Sequence, residues 1–445
     1  MKPTNLENKP QTELFRSRLD QMLNRAHPLF VLAGQIDWAV FDEEFGKLYS
    51  DRERPGIPTR VMVGLHYLKH AFNESDETVV MRFVENPYWQ YFCGYEYFQH
   101  VFPIDPSTMT RWRKRIGSGG MKKLLSETIE TAKRRGDAKP EHFEKVNVDT
   151  TVQEKAVAFP TDARLYQKAR IRMVKEAKAR GIPLRQSYER KSTEALLKQS
   201  RYVHAKQFRR ARKETKKLRN YLGRVLRDIE RGCGVPDEDL AYWLQVATWI
   251  YEQQRTDKNK VYAVHALEVE CISKGKAHKR YEFGCKTSVV SASRGNWVLS
   301  SEAVHSNPYD GHTLKEALES AEAMSGVRAK QAFVDKGYKG SQASVPDVEV
   351  YTSGQRRLTR WMRKWLKRRQ AVEPIIGHMK HDHRMDRNYL HGWEGDRINA
   401  ILAGCGFNLM KLFRAAALFA YFLFALLVIK VLPDNRKRLL LAPAA

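Results

Sequence analysis

The sequence has few cysteines, and they are not spaced to hold a metal ion. Five are present among 445 residues, and no two of them form a CxxC pair. An odd number leaves one thiol unpaired in any disulfide scheme, and the missing CxxC spacing excludes the usual zinc sites. The pattern is therefore typical of free thiols in a reducing compartment. The five residues are Cys93, Cys233, Cys271, Cys285 and Cys405.

Acidic residues are also scarce relative to basic ones. The chain has 51 Asp and Glu against 78 Lys and Arg, a formal net charge of +27. This balance excludes an acidic solvating protein, and a content of 42% hydrophobic and 11% aromatic residues excludes general disorder. A surplus of this size is usually balanced by a polyanion, and nucleic acid is the commonest one.

Long apolar runs are nearly absent. Charges interrupt every hydrophobic run in the first thirty residues, so we expect no signal peptide and a cytoplasmic, nucleoid-associated protein. One run of fifteen uncharged residues, 415–429, lies between Arg414 and Lys430. Because a membrane-spanning helix needs ~20 such residues, we expect a terminal helix docked on the core or on a partner, and no membrane.

Residues 1–140 are predicted to be all helical. An apolar stretch with helical spacing follows Pro58, and Ser75 or Asp76 can cap the next helix. A third helix, which ends at Gly117, is basic, and short helices separated by turns suit a helix-turn-helix-like DNA reader. The alternative is an ordinary helical bundle with a solvated basic face. The candidate DNA contacts on the third helix are Arg111, Arg113 and Lys114.

The pattern changes to strands in two later segments. Alternating apolar residues predict a strand over 143–149 that ends at Asp149, and 332–334 is a short apolar strand followed by Asp335. Helices and a hairpin lie between them. This order predicts a mixed α/β core with a helical insertion.

The insertion contains most of the surplus charge. Residues 164–231 carry 23 bases and 6 acids. Four apolar residues there follow the 4-3-4 spacing of an amphipathic helix, namely Leu218, Leu222, Val225 and Ile229. A charge run is usually a solvated face, but this density on ordered helices favours contact with phosphates. We therefore predict a basic helical insertion at about 164–259, with DNA contacts from Arg209, Arg210, Arg212 and Lys213.

Asp149 and Asp335 would converge at one edge of the sheet if their strands are neighbours. Paired carboxylates with few other donors suit Mg²⁺, and a third acid would complete a two-metal phosphoryl-transfer site. Glu373 is the best candidate, because Arg369, Glu373 and Lys380 fall within about 40° on one face of a continuous helix. The alternative is an i,i+4 salt bridge between Arg369 and Glu373, with Lys380 as an incidental surface cation.

Two other groups could be mistaken for this site. Asp310 competes for the second carboxylate position, but its Pro-Tyr-Asp-Gly turn indicates a structural or adjacent role. The following helix is predicted to open with a capping box of Thr313 and Glu316. Three histidines also lie close together in the sequence. No Cys or carboxylate at a suitable spacing completes a set of zinc ligands with them, so we expect surface or DNA-facing side chains. They are His378, His381 and His383.

Three segments of the sequence are distinctive: VDTTVQEKAVAFPTDARL, VDKGYKG and RRQAVEPIIGHMKHDHRMDRNYL. They resemble the DDE transposases of bacterial insertion sequences, specifically the insertion-sequence-five family. The resemblance extends from the N-terminal helical region to the helix ending near Arg414. It implies an α/β RNase H-like core, a mixed sheet with flanking helices, whose Asp149, Asp335 and Glu373 bind two divalent metal ions and cut DNA.

Related insertion-sequence families carry a Y-x2-R-x3-E-x6-K signature around the glutamate. This chain matches it at Arg369, Glu373 and Lys380 but has Leu366 where the tyrosine would stand. The resemblance implies that Arg369 and Lys380 hold phosphates near the scissile bond, and the missing tyrosine bears on positioning of the DNA end. It also implies Mg²⁺ as the cofactor, with two ions per site and Mn²⁺ as a substitute, and a homodimer on DNA.

We therefore expect a transposase that binds the terminal inverted repeats of its element and acts on target DNA by metal-dependent cleavage and strand transfer. The predicted domains are a helical DNA-binding domain at 1–140, a catalytic domain at 141–414 interrupted by the insertion, and an apolar C-terminal helix and tail at 415–445. The alternatives are an RNase H-like nuclease without strand transfer and a nucleic-acid-binding protein with structural carboxylates. Metal-dependent nicking, and then joining of the cut end to a second duplex, would separate the three.

Overall fold

The computed structural model describes residues 17–49, 56–273, 279–355 and 358–431, with side chains described as far as residue 419 in the last range. The chain divides into two compact units. The first unit comprises Met1–Gln153 and Lys286–Ala445, and the second unit is Glu154–Cys285. The second unit is therefore an insertion in the chain of the first.

The N-terminal part of the first unit is helical, as the sequence predicts. Its helices are α1 (Leu19–Met22), α2 (Pro28–Ala33), α3 (Ala39–Gly46), α4 (Thr59–Ala71), α5 (Asp76–Glu85), α6 (Pro87–Phe92) and α7 (Pro106–Arg134). Ser75 caps α5, because its hydroxyl accepts from the Thr78 N–H at 3.0 Å while the Thr78 hydroxyl oxygen accepts from the Ser75 N–H at 2.7 Å. Of the two predicted caps, Ser75 is therefore the one used.

The basic helix at the start of α7 ends at Gly117, as predicted. Gly117 has φ 67° and ψ −179°, a non-helical conformation that glycine adopts readily. A second helix follows directly after this kink and buries Met121, Leu124 and Ile129. The range Pro106–Arg134 therefore comprises two helices joined at Gly117.

A mixed sheet is the centre of the first unit. The strands in the described part of the chain are β1 (Lys145–Glu154), β2 (Glu270–Ser273), β3 (Tyr281–Ala292), β4 (Val298–Val304), β5 (Gln331–Val334) and β6 (Glu349–Thr352), of which β2 lies in the second unit. The order across the first unit is β4-β3-β1-β5-β6. Strands β1, β5 and β6 are parallel, whereas β4 is antiparallel to β3. Backbone bonds from Ser293 to Lys145 and from Lys155 to Phe283 show that β3 is antiparallel to β1.

Two strand predictions need correction. Strand β1 continues for five residues beyond Asp149, so this carboxylate lies within the strand and not at its end. Strand β6 was not predicted at all, because its four residues are too short to show a clear period. The predicted strand before Asp335 is present as β5.

The second unit contains the helices α8 (Asp162–Ala179), α9 (Glu189–His204), α10 (Phe208–Gly232) and α11 (Glu238–Glu252). Strand β2 also belongs to it and pairs with the start of β3. Helix α10 is the predicted amphipathic helix, since the four residues of the 4-3-4 pattern are all buried in the core of this unit. The predicted insertion, 164–259, lies inside the second unit; the exact domain limits stay a prediction.

The last part of the chain returns to the first unit with α12 (Leu314–Ser325), α13 (Arg360–Arg369), α14 (Val372–His381) and α15 (Gly392–Val431). The predicted capping box at α12 is wrong. The Thr313 hydroxyl donates to the Asp310 carbonyl and makes no cap bond. The physical reason is that a 3-10 turn, Asp310–Thr313, leads directly into α12 and leaves Thr313 in the helical region instead of the extended conformation that a cap needs.

Helix α15 contains the apolar run 415–429. It is continuous across residues 414 and 415, where the sequence analysis placed a domain limit. Its Gly392–Phe419 part is long and apolar enough to cross a membrane, but 56% of the apolar window is buried inside the protein. Buried side chains such as Ile401, Leu409 and Leu412 belong to the main core of the first unit. This burial is what a core helix shows.

Candidate active site

Parallel strands bring Asp149 and Asp335 to one edge of the sheet. Strand β1 pairs with β5 in a register that places Asn147 opposite Phe333. Continuing this register by two residues sets Asp149 beside Asp335, the residue that follows β5. The convergence that the sequence analysis made conditional on neighbouring strands is therefore present.

Arg369 connects these two carboxylates to Glu373. Its guanidinium lies 3.3 Å from Asp149 Oδ2, 3.9 Å from Asp335 Oδ1 and 3.8 Å from Glu373 Oε1. The Arg369 side chain is 9% exposed, whereas those of the three acids are 21%, 52% and 67% exposed in chain order. These three acids, here called the carboxylate cluster, thus surround one nearly buried cation and remain accessible from solvent.

Aromatic packing on the sheet sets the position of Arg369. Trp361 and Trp365 precede it at intervals of four residues, and therefore on the same face of α13. Trp365 stacks on Phe333 of β5 with ring centroids 5.8 Å apart, and Trp361 lies edge-on to Tyr351 of β6 at 5.7 Å. This packing holds the end of α13, where Arg369 lies, against the carboxyl ends of the parallel strands.

Glu373 and Lys380 lie on a different helix from Arg369. One continuous helix was predicted here, but α13 ends at Arg369 and α14 begins at Val372. The assumption is wrong because Pro374 has no N–H to donate to the carbonyl four residues earlier, and its ring crowds that carbonyl. Glu373 and Lys380 are seven residues apart and stay on one face of α14, with Lys380 half-buried.

Hydrogen bonds favour the ionised form of Asp335. Partial burial acts to raise its pKa, but the Ser353 hydroxyl and the Lys336 N–H each donate to Oδ1 at 2.7 Å, and Arg369 adds a positive charge. Together they hold the pKa of Asp335 below its usual value. Ser353 was not predicted from the sequence, because it follows β6, which is too short to show a clear period. The register of β6 against β5 pairs Thr352 with Val334, and this places Ser353 beside Asp335.

Asp310 lies next to the site and is bound by other groups. Its Oδ1 accepts from the Thr150 hydroxyl at 3.0 Å and forms an ion pair with Lys286 Nζ at 2.9 Å. Burial, and then the charges of Asp149 and Asp310, raise the pKa of the buried Tyr338 hydroxyl. This placement is that of a residue adjacent to the site, as the turn pattern suggested.

The donor set has the chemistry that a hard divalent cation requires. All three members of the cluster offer carboxylate oxygens, the ligands that Mg²⁺ prefers. Within the described ranges, no group of three or more His, Cys, Asp or Glu side chains is close enough to form a metal centre as it stands. The carboxylates are gathered, but around the guanidinium of Arg369. If a divalent cation binds here, Asp149, Asp335 and Glu373 offer the carboxylate oxygens for it.

The three bases predicted to contact DNA from α7 have different environments. Arg111 and Lys114 are exposed. Arg113 is buried, and its guanidinium donates to both carboxylate oxygens of Asp76, at 2.9 and 2.5 Å. Lys69 also binds Asp76, at 2.8 Å, and burial lowers the pKa of Lys69 to about 8 against the opposing effect of this carboxylate. Arg113 is thus an internal cation in this structure. The sequence alone did not distinguish it from the exposed Arg111 and Lys114.

The bases predicted to contact DNA from the second unit share one environment. They lie in the first two turns of α10, and each of them is exposed. The buried residues of this helix lie on its other face. The structure therefore leaves four positive charges accessible on one helix: those of Arg209, Arg210, Arg212 and Lys213.

The three histidines near the glutamate helix do not share one environment either. His381 is exposed, and His378 Nδ1 lies 2.7 Å from Asp382 Oδ2. His383 is buried with Nδ1 2.9 Å from the His70 carbonyl, and burial lowers its pKa. The expectation of surface histidines is therefore wrong for His383, because the chain after α14 turns inward.

Two segments of the chain match known protein families. The family described as Transposase domain (DUF772) matches residues 17–115, and the family described as Transposase DDE domain matches 347–413. A Rhizobium meliloti protein described as "Uncharacterized protein ORF8 in nfe locus" is 57% identical over 198 residues, 44% of this chain and 96% of that protein. No solved structure matches the chain significantly. The second match includes Glu373 but neither aspartate of the cluster.

Proposed function

Since this chain belongs to the DDE transposases, we propose that it binds the terminal inverted repeats of an insertion sequence and catalyses metal-dependent DNA cleavage and strand transfer. The observation that carries the proposal is the convergence of Asp149, Asp335 and Glu373 around Arg369 at the end of the parallel strands. The strand order β4-β3-β1-β5-β6, with three antiparallel strands followed by two parallel ones, supports an RNase H-like core.

In this proposal the carboxylate cluster holds divalent cations, with Mg²⁺ as the natural choice and Mn²⁺ as a substitute. Such ions, when bound, polarise the phosphodiester and lower the pKa of an attacking water. Arg369 and Lys380 bind phosphate oxygens beside the scissile bond, because a guanidinium and an ammonium form charge-assisted hydrogen bonds with them. Glu373 and Lys380 act from one face of α14, so metal ligand and phosphate contact keep a constant separation.

Water cuts the phosphodiester at the end of the element and frees a 3′-hydroxyl. This hydroxyl then attacks a phosphodiester of the target DNA, so that one P–O bond forms, one breaks, and the 3′-hydroxyl of the target strand leaves. Two element ends must be held together for this reaction, which is why we propose a homodimer. The exposed bases of α7 and α10 bind the DNA backbone, and the reaction takes place on the nucleoid in the cytoplasm.

The test is cleavage of labelled inverted-repeat DNA by Asp149→Asn, Asp335→Asn and Glu373→Gln. Each variant should lose Mg²⁺-dependent cleavage and keep nearly unchanged DNA binding, because the lost oxygen is a metal ligand and not a DNA contact. Glu319→Gln is the matched control, since it neutralises an exposed carboxylate on α12. Cleavage at the wild-type rate by any of the three would remove that residue from the site.

A second DNA duplex in the same assay separates the proposed function from its alternatives. Covalent joining of the labelled end to the second duplex supports a transposase. Nicking without joining would indicate an RNase H-like nuclease, and binding without nicking would indicate a nucleic-acid-binding protein. Inverted repeats that bracket the reading frame would supply the natural substrate for this experiment.

A further inference from the structure

Arg369 has an unusual position for a side chain that is expected to bind DNA phosphate. It is nearly buried, and its guanidinium faces three carboxylates with a summed formal charge of −3. A positive charge 3.3–3.9 Å from each of these carboxylates attracts all three of them. Without a metal ion, Arg369 therefore supplies the positive charge that the three acids share.

We propose that Arg369 is the counter-cation of the metal-free carboxylate cluster, and that it competes with divalent metal ions for the same three carboxylates. The inference rests on the proposed function, because it takes the cluster to be the metal site. It assigns Arg369 a second task before catalysis: it keeps Asp149, Asp335 and Glu373 gathered until a metal ion replaces it.

The distances fit a cation that can be displaced. Charge-assisted bonds between a guanidinium and a carboxylate are usually about 2.7–2.9 Å long and often paired. Among the described residues, Arg369 donates a hydrogen bond of 3.3 Å to Asp149, and its ion pairs with Glu373 and Asp335, at 3.8 and 3.9 Å, are too long for hydrogen bonds. It is shared among three acids and held tightly by none, so a hard divalent cation that takes direct oxygen bonds would win.

The backbone can keep its place when this side chain moves. Helix α13 is fixed by Trp361 and Trp365 on the sheet, contacts that do not involve the carboxylates. Helix α14 is fixed separately by its buried residues Val372, Ile375 and Met379. Displacement therefore requires a change of side-chain rotamer only, and the released guanidinium stays close enough to bind a phosphate of the DNA.

The test is Mn²⁺ binding to the full-length protein without DNA, followed by electron paramagnetic resonance of the free ion. Arg369→Gln should bind Mn²⁺ ~10-fold more tightly than the wild type or better, because one nearby charge changes the proton affinity of a carboxylate by one to three powers of ten. Its melting temperature should be lower in EDTA and should rise more on addition of Mn²⁺. Arg363→Gln, exposed on the same helix, is the control and should bind Mn²⁺ as the wild type does.

Equal or weaker Mn²⁺ binding by Arg369→Gln would overturn the competition. If that variant does not fold, Arg369→Lys replaces it. Because a point charge reaches fewer of the acids than a planar fork does, the Mn²⁺ affinity of Arg369→Lys should lie above that of the wild type. An unchanged Mn²⁺ affinity would equally overturn the inference. Asp149→Asn distinguishes a failure of the proposed metal site from a failure of the proposed competition. If it leaves wild-type Mn²⁺ binding unchanged, the proposed metal site is wrong; if it weakens binding while Arg369→Gln does not strengthen it, only the competition is wrong.

Discussion

The carboxylate cluster of the first unit and the basic helix α10 of the second unit use charge in opposite ways. In the cluster, three acids surround one nearly buried guanidinium, and packed aromatic rings hold its helix. On α10, four bases lie exposed in two turns, and Arg210 among them donates to the uncharged Gln207 side chain at 3.0 Å. A reaction site depends on geometry, whereas affinity for a polyanion depends on the number of accessible charges. Removal of a charge should therefore have different consequences in the two units.

The largest effect is expected where charge is buried in the first unit. Asp76→Asn should lower the free energy of unfolding by ~3–5 kcal/mol, because it leaves the buried cations Lys69 and Arg113 without their shared carboxylate. Urea denaturation measures this change. Glu77→Gln is the control, since Glu77 is the exposed next residue, and it should change stability by less than ~0.5 kcal/mol. Equal effects of the two variants would contradict the assigned role of Asp76.

The carboxylate of Asp76 should also make the stability of the protein depend on pH. Partial burial acts to raise the pKa of Asp76, but hydrogen bonds and charges of Arg113 and Lys69 outweigh it and hold the pKa well below its usual value. A group whose pKa is lowered by folding contributes stability above its unfolded pKa and loses it as the pH falls. The wild type should therefore lose stability below about pH 4, and Asp76→Asn should show a flatter acid limb.

The next largest effect is expected on DNA affinity from the second unit. Replacing Arg209, Arg210, Arg212 and Lys213 together by Gln should weaken binding of specific and random DNA alike, by ~100-fold or more at low salt. The slope of log affinity against log salt should become shallower by up to ~3.6, since each lost phosphate contact accounts for ~0.9. Fluorescence anisotropy at several salt concentrations measures both quantities.

The free energy of unfolding and the cleavage rate are the control measurements for the variant with four Gln substitutions on α10. Because the four side chains are exposed, unfolding should hardly change, and cleavage at saturating DNA should stay close to the wild-type rate. An unchanged salt slope would show that these charges only solvate the helix. A lost cleavage rate at saturating DNA would show that the second unit contributes to the reaction itself.

The smallest effect is expected at Lys380, where geometry and charge meet. Lys380→Ala should lower cleavage and strand transfer ~10-fold and change sequence discrimination less, because phosphate contacts position DNA and base contacts specify it. Asp382→Asn is the control, since Asp382 is bound to His378 beyond the end of α14. If Asp382→Asn were inactive and Lys380→Ala normal, the face of α14 would have been assigned backwards.

Local patterns predicted those parts of the fold that depend on neighbouring residues. The cap at Ser75, the strand before Asp335 and the buried face of α10 were all readable from short-range spacing. The end of the basic helix at Gly117 was also readable in this way. The same reasoning failed where a helical period was continued across a proline: Pro374 separates α13 from α14, where a continuous helix was assumed.

The sequence by itself determined the kinds of chemistry available: a large positive charge, a basic amphipathic helix and the order of two aspartates and one glutamate in recognisable motifs. Only the tertiary structure decided which charges meet. It buried Arg113 while leaving Arg111 exposed, and it placed Arg369 beside Asp149, a residue 220 positions away in the chain. The physical reason is that helical and strand periods describe contacts within a few residues, whereas the contacts of this site follow from strand register and from aromatic rings packed on the sheet.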